Sequence, residues 1–286
     1  MRRDIPAASR AGPRPAGEPA PDVERYRIAH RAMELEADEI AALANRLARS
    51  APYSTRQARG LRRGIRILLD DLHRHHRAED DVGWPILVAA LPDTPPGAEP
   101  DPVQPDPAEP VRSLVTLAHE HEQLHLVMTA VREAAGKLVT QPDNQAVRRS
   151  LADATRQLAD LLGRHIADEE ALIFPLISAY VSVADFTRWE KAADQGIPLR
   201  DLPLLLPSTL RVVDPADRAR ITRQAPLTFR LALALCTGYF RHTHRLVFGA
   251  PDAPTVDHRA ITPVPRQPAD PVDRDGQPPV PGREAP

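Results

Sequence analysis

Two stretches of this chain carry the same chemistry-bearing residues at a constant offset of ninety positions. The first is Arg74-His75-His76-Arg77-Ala78-Glu79-Asp80-Asp81-Val82-Gly83-Trp84-Pro85-Ile86-Leu87. The second is Arg164-His165-Ile166-Ala167-Asp168-Glu169-Glu170-Ala171-Leu172-Ile173-Phe174-Pro175-Leu176-Ile177. Both read R-H-x-x-x-E-acid-x-x-x-aromatic-P-aliphatic-aliphatic. On an α-helix, residues four apart differ by ~40° around the axis and ~6 Å along it, so each His and its Glu reach one point. Imidazole nitrogen and carboxylate oxygen, with no thiolate, suit iron; manganese fits less well, and zinc usually closes at four ligands. A single His-x-x-x-Glu is commonly a surface pair or a satisfied core group. Two copies in matched contexts imply a duplicated supersecondary unit. Burying such a set with no cation would leave polar and charged groups unpaired, which loses several kcal/mol.

The elements that must position these residues read as helices. His30 lies forty-five residues before His75, and His121 lies forty-four before His165. Each copy therefore sits on the second helix of a pair whose first helix offers one more histidine. Ile28, Met33, Leu35, Ile40, Leu43 and Leu47 recur at amphipathic spacing and place a first helix from about Asp22 to Ser50. The second is expected over about Thr55–Leu91, the third over Val111–Val139 and the fourth over Asn144–Val181. Short joins make these an up-and-down antiparallel four-helix bundle, and the fold class is all-α. Proline six residues after each glutamate, Pro85 and Pro175, predicts a bend or helix end beside the site.

The chain has 286 residues, of which 42% are apolar, enough for a real core. Its 32 prolines crowd into the two tails and the segment 92–110. We expect a disordered arm over 1–21, a bundle over 22–182 with a Pro-rich loop at 92–110, a helical extension over 183–248 and a disordered tail over 249–286. Net charge is 37 − 39 = −2, which draws the protein to neither nucleic acid nor membrane. No apolar run approaches the ~20 residues that span a bilayer. The single cysteine, Cys236, excludes a disulfide framework and reads as a buried small hydrophobe in a reducing, cytoplasmic setting.

The pattern H…HxxxE…H…HxxxE, over about residues 24–182, resembles the hemerythrin-like (HHE cation-binding) family, in its bacterial form. The resemblance implies a di-iron centre, oxo- or hydroxo-bridged, inside the bundle. Matching histidines are terminal ligands in that family, and matching glutamates bridge or cap the irons. The implied ligands are His30, His75, Glu79, His121, His165 and Glu169. Oxygen-carrying hemerythrins place an Asp five residues after the last His, where this chain has Glu170 and instead keeps the four-residue spacing to Glu169. His121-x-x-x-His125 resembles their histidine pair and makes His125 a seventh candidate, and Glu34 holds the corresponding place after His30. A ferritin-like reading needs two Glu-x-x-His motifs, and only Glu122-x-x-His125 fits.

Neighbouring positions are read more plainly. His73, His76 and His119 should face away from the ligands as surface or supporting groups, although His76 competes with His75 for the inward place. Tyr26, one turn before His30, lies near the pocket or simply packs. The arginines from Arg56 to Arg66 form a solvated face. Three functions follow. One is binding of O2 or nitric oxide for sensing, storage or carriage. The second is a di-iron redox enzyme acting on peroxide, nitric oxide or O2, for which the sequence offers no dedicated proton donor. The third is a metal-storage or structural interaction module.

Overall fold

The structure is a computed structural model that describes residues 11–91 and 109–249. Among these residues every regular element is helical. Helices α1 (Glu24–Ala48), α2 (Thr55–Ala78), α4 (Glu109–Thr140) and α5 (Gln145–Tyr180) form the bundle. Around it, α1 packs on α2 and α5, and α4 packs on the same two. Neighbours run antiparallel: His76 of α2 lies beside His121 of α4, whereas the earlier His73 lies beside the later His125.

Local chemistry fixes the joints. Ser54 starts α2 with a capping box, accepting from the Gln57 amide while the Gln57 side chain accepts from the Ser54 amide. Asn144 caps α5 through the amides of Ala146 and Val147. Buried Arg148 then ties both joints together, donating to the carbonyls of Pro142 (2.6 Å) and Ala51 (2.8 Å). Two nitrogens of one planar group held by fixed carbonyls make this a rigid closure of that end.

The interior falls into two apolar layers. One runs along most of the bundle and includes Met33, Ile40, Leu43, Leu68, Leu124, Val131 and Leu162. The other, at the opposite end, includes Trp84, Ile86, Leu114, Ile173, Ile177 and Trp189. The histidines and glutamates of the duplicated motif lie in a polar layer between them.

Three expectations are corrected here. The second helix is not continuous to Leu91. It passes through a π-helical turn, Glu79–Gly83, before a short helix α3, Trp84–Ala90, that has Pro85 in its first turn. Pro85 has no amide to donate to the carbonyl four residues earlier, which weakens the ladder where the register changes. Pro175, by contrast, is accommodated inside α5. The arm expected to be disordered is ordered from residue 11: the Arg14 amide donates to the Tyr180 carbonyl at 2.8 Å, and Glu18 accepts from the Val183 amide at 3.0 Å. Cys236 is half-exposed and not buried. The expectations for residues 1–10, most of the Pro-rich loop and the tail from 250 lie outside the described residues.

The extension folds as α6 (Val183–Asp194), α7 (Leu202–Arg211), α8 (Pro215–Gln224) and α9 (Leu227–Phe248). It shares one compact unit with the bundle. Helix α6 covers the π turn with Trp189, α7 lies on α1, and α9 lies on α2 and α7.

Candidate metal centre

Eight side chains meet in the polar layer. His30 comes from α1, His75 and His76 from the last turn of α2, Glu79 from the π turn, His121 from α4, and His165 and Glu169 from α5; Tyr26 of α1 closes the set. All are buried, and both glutamates are wholly so. Two groups have donor atoms within 4.8 Å of one another: His30, His75, Glu79 and Glu169, and beside it His76, His121 and His165.

The two glutamates span both groups. Glu79 Oε1 lies 2.8 Å from His75 Nε2, and its Oε2 lies 3.5 Å from His121 Nε2. Glu169 Oε2 is 3.4 Å from His165 Nε2 and 3.7 Å from His30 Nε2. Neither Glu79 Oε2 nor Glu169 Oε2 has a hydrogen-bond partner, although both are buried. Leaving a buried carboxylate oxygen unpaired is costly, and a cation placed between the groups would satisfy both.

Carboxylates on the outer side fix the imidazoles. His30 Nδ1 bonds Glu170 at 2.9 Å, His121 Nδ1 bonds Asp80 at 3.0 Å, and His165 Nδ1 bonds Glu120 at 2.8 Å. A carboxylate accepts, so the proton sits on each Nδ1 and each Nε2 presents a lone pair inward. The Nε2 atoms of His121 and His165 face each other at 3.1 Å, and those of His30 and His75 at 2.8 Å. Facing lone pairs repel unless a proton or metal stands with them. This donor set fits a pair of metal ions.

Charge acts in the same direction. Burial pushes His30 down to about 4 and His76 well below the usual imidazole range, and burial with His121 lowers His165. These rings are neutral near pH ~7, as metal ligation requires. Burial alone would lower His75, but the Glu79 charge beside it wins and raises it. The two glutamates are pulled apart. Burial opposes ionisation of Glu79, yet His75 holds it well below the carboxylate range, while burial and the Glu79 charge push Glu169 well up. The Tyr26 hydroxyl sits between the two, within hydrogen-bond reach of Glu79 Oε1 and 2.6 Å from Glu169 Oε1, with one proton to share between them.

The structure thus gathers six of the seven candidate side chains, His30, His75, Glu79, His121, His165 and Glu169, and leaves His125 out. His125 is exposed, one turn along α4 from His121, with its ring against His73. Glu34 is also outside; it lies between α1 and α5 near Gly163. His76, expected to face away, is 6% exposed and stacks on His121 with ring centroids 4.2 Å apart. Its signal was present in the repeat: the matching position is Ile166, an apolar residue that belongs inside. Adjacent positions both fit because the inward stripe of a bundle helix is at least ~100° wide. The supporting acids had a signal too. Asp80 and Glu170 are the same position of the repeat, and each crosses to grip the first-helix histidine of the other pair.

A cleft of about 800 Å³ between α2 and α4 reaches this layer, with His76, His121 and Trp84 on its wall. No helix among the described residues is long and apolar enough to cross a membrane. Residues 112–233 match the family model described as the hemerythrin HHE cation binding domain. The match starts in α4 and ends in α9, so it takes in His121, His165 and Glu169 and leaves His30, His75 and Glu79 ahead of it. No curated protein and no solved structure matches the chain.

Proposed function

From the match of residues 112–233 to the hemerythrin HHE cation binding domain model, we propose that this chain holds two iron ions side by side and binds a small diatomic molecule there. His30 and His75 serve one position, and His76, His121 and His165 serve the other. Glu79 and Glu169 face both. The observation that carries the reading is the pair of buried, unpartnered oxygens: Glu79 Oε2 faces His121, and Glu169 Oε2 faces both His165 and His30. Iron is favoured over zinc because seven imidazole and carboxylate side chains for two positions exceed a closed four-ligand set.

When bound, such a pair supplies redox-active coordination for O2 or nitric oxide. The protein's own residues do the rest. Glu170, Asp80 and Glu120 hold the Nδ1 protons and so keep the rings aimed inward. The apolar layers above and below keep bulk water from the site. The α2–α4 cleft gives a small molecule a way in. Sensing, storage or carriage suits this arrangement, and a reducing, cytoplasmic setting would keep Cys236 free.

A second reading, a redox enzyme acting on peroxide, nitric oxide or O2, is favoured by Tyr26. Its hydroxyl, 2.6 Å from Glu169, would pass a proton through that carboxyl group, since burial and the two glutamates make the phenol itself a weak acid. Metal analysis of protein from iron-supplemented cells tests the common part: two irons per chain are expected, and well under one overturns it in favour of a structural module. Rapid mixing of the reduced protein with O2 then separates the readings. A stable adduct supports binding; turnover of peroxide or nitric oxide supports the enzyme.

A further inference from the structure

Four histidines line the α2–α4 cleft, and only two of them belong to the buried centre. His73 precedes His76 by three residues on α2, and His125 follows His121 by four on α4. Both spacings keep a side chain on the same helix face, one turn away. Since the helices are antiparallel, the four rings form two rungs across the cleft. The inner rung is His76 stacked on His121, with centroids 4.2 Å apart and planes 12° from parallel. The outer rung is His73 against His125, with centroids 5.8 Å apart and planes at 46°. His73 and His125 are both exposed, whereas His76 and His121 are buried.

We propose that His73 and His125 form a second, solvent-facing metal site, which captures a divalent transition-metal ion and passes it inward through the cleft. The inward transfer rests on the function proposed above; the capture does not. Imidazole is a good ligand for ferrous iron, zinc, nickel and copper, and two rings from separate helices chelate more strongly than one. Two protein ligands leave the remaining positions to water, so the ion is held loosely enough to move on. One helical turn, about 5 Å, separates the rungs, so an inner imidazole can displace bound water before an outer one lets go. The exchange is ligand substitution alone: nitrogen replaces water, and the ion keeps its charge. A buried centre between two apolar layers needs some such entry, because a hydrated dication crosses apolar surface poorly.

The test compares the metal-free full chain with its His73→Ala/His125→Ala variant, using His119→Ala as control. His119 is exposed on the same helix, bonded to the Val115 carbonyl. The expected result with zinc at equilibrium is one ion per chain fewer in the double variant than in the wild type or the control. With limiting ferrous iron, the double variant should fill to the same final iron content about tenfold more slowly, because the local supply of ion is gone. An equal zinc count overturns the capture site, and an equal filling rate overturns its role in transfer. A wild type that takes up no iron defeats the proposed function instead, and the zinc count still decides on the outer site.

Discussion

Glu170 and Asp80 illustrate how much of a metal site lies outside its ligands. Each accepts from an Nδ1 of a histidine on the opposite helix pair, at 2.9 Å and 3.0 Å. A neutral amide in the same place could present its NH2 to Nδ1 and release the ring to its other tautomer. Glu170→Gln is therefore expected to weaken metal affinity roughly 10–100-fold, with the fold retained because the position is only half-buried. Competition against a chelator reads the affinity; an unchanged value would mean that the bond is incidental. These acids were visible in the sequence as the shared position after each glutamate. Their role was not, because a one-dimensional repeat does not say that each copy reaches across to the other pair. Tyr26 and His76 show the same limit. Proximity to a ligand was legible, but which face of a wide inward stripe a neighbour occupies depends on the packing of all four helices.

At the scale of elements, the duplicated motif folds two ways. In α5 the run from His165 through Pro175 stays α-helical, whereas in the first copy the π turn Glu79–Gly83 intervenes. What stands against each copy differs. Trp189 of α6, 1% exposed, lies so close to Gly83 that a Cβ there would sit 2.3 Å from its ring. Glycine is thus required by the neighbour and not by its own backbone, whereas the matching position of the second copy holds a fully buried isoleucine, Ile173. Gly83→Ala must push back either a buried indole or the turn that carries Glu79. A loss of about 1–3 kcal/mol is expected, with weaker metal retention than the stability change alone explains. Thermal melts of the metal-free and metal-loaded forms check both parts; equal melting temperatures for variant and wild type would show that the turn yields freely. Four long helices, their order and their joints were readable from apolar spacing and proline. The break at Glu79 was not, since proline marks a disturbed ladder without saying whether the helix ends, bends or widens.

For the whole molecule, the extension matters through the surface it shares with the bundle. Sequence reading placed 183–248 as helices broken by prolines, but their docking depends on contacts between residues far apart. Arg66 grips buried Asp201 at 2.6 Å, Arg211 grips Glu39 through two bonds at 2.8 and 3.0 Å, and Ser208 of α7 donates to Glu36 of α1. Glu36 lies in this interface beside a cavity walled by α1, α2, α7 and α9. Burial pushes its carboxyl from 4.5 up to about 7, against the opposing pull of the Ser208 hydrogen bond. Between those two values the folded chain keeps a proton that the unfolded chain has released. Stability must then fall as pH rises through that window, and the loss is complete above it. Glu36→Gln keeps an acceptor for Ser208 and removes the proton from the balance. At about pH 8 the variant should melt roughly 2–6 °C above the wild type, and at about pH 4 the two should coincide. Glu34, also raised to about 7 by burial and by Glu170, remains in both proteins, so the variant's profile flattens without becoming level. Parallel melting profiles across the whole range would mean that Glu36 is already ionised in the folded chain. The α1–α7 contact would then hold a charge, and Arg211 would be the group that answers it.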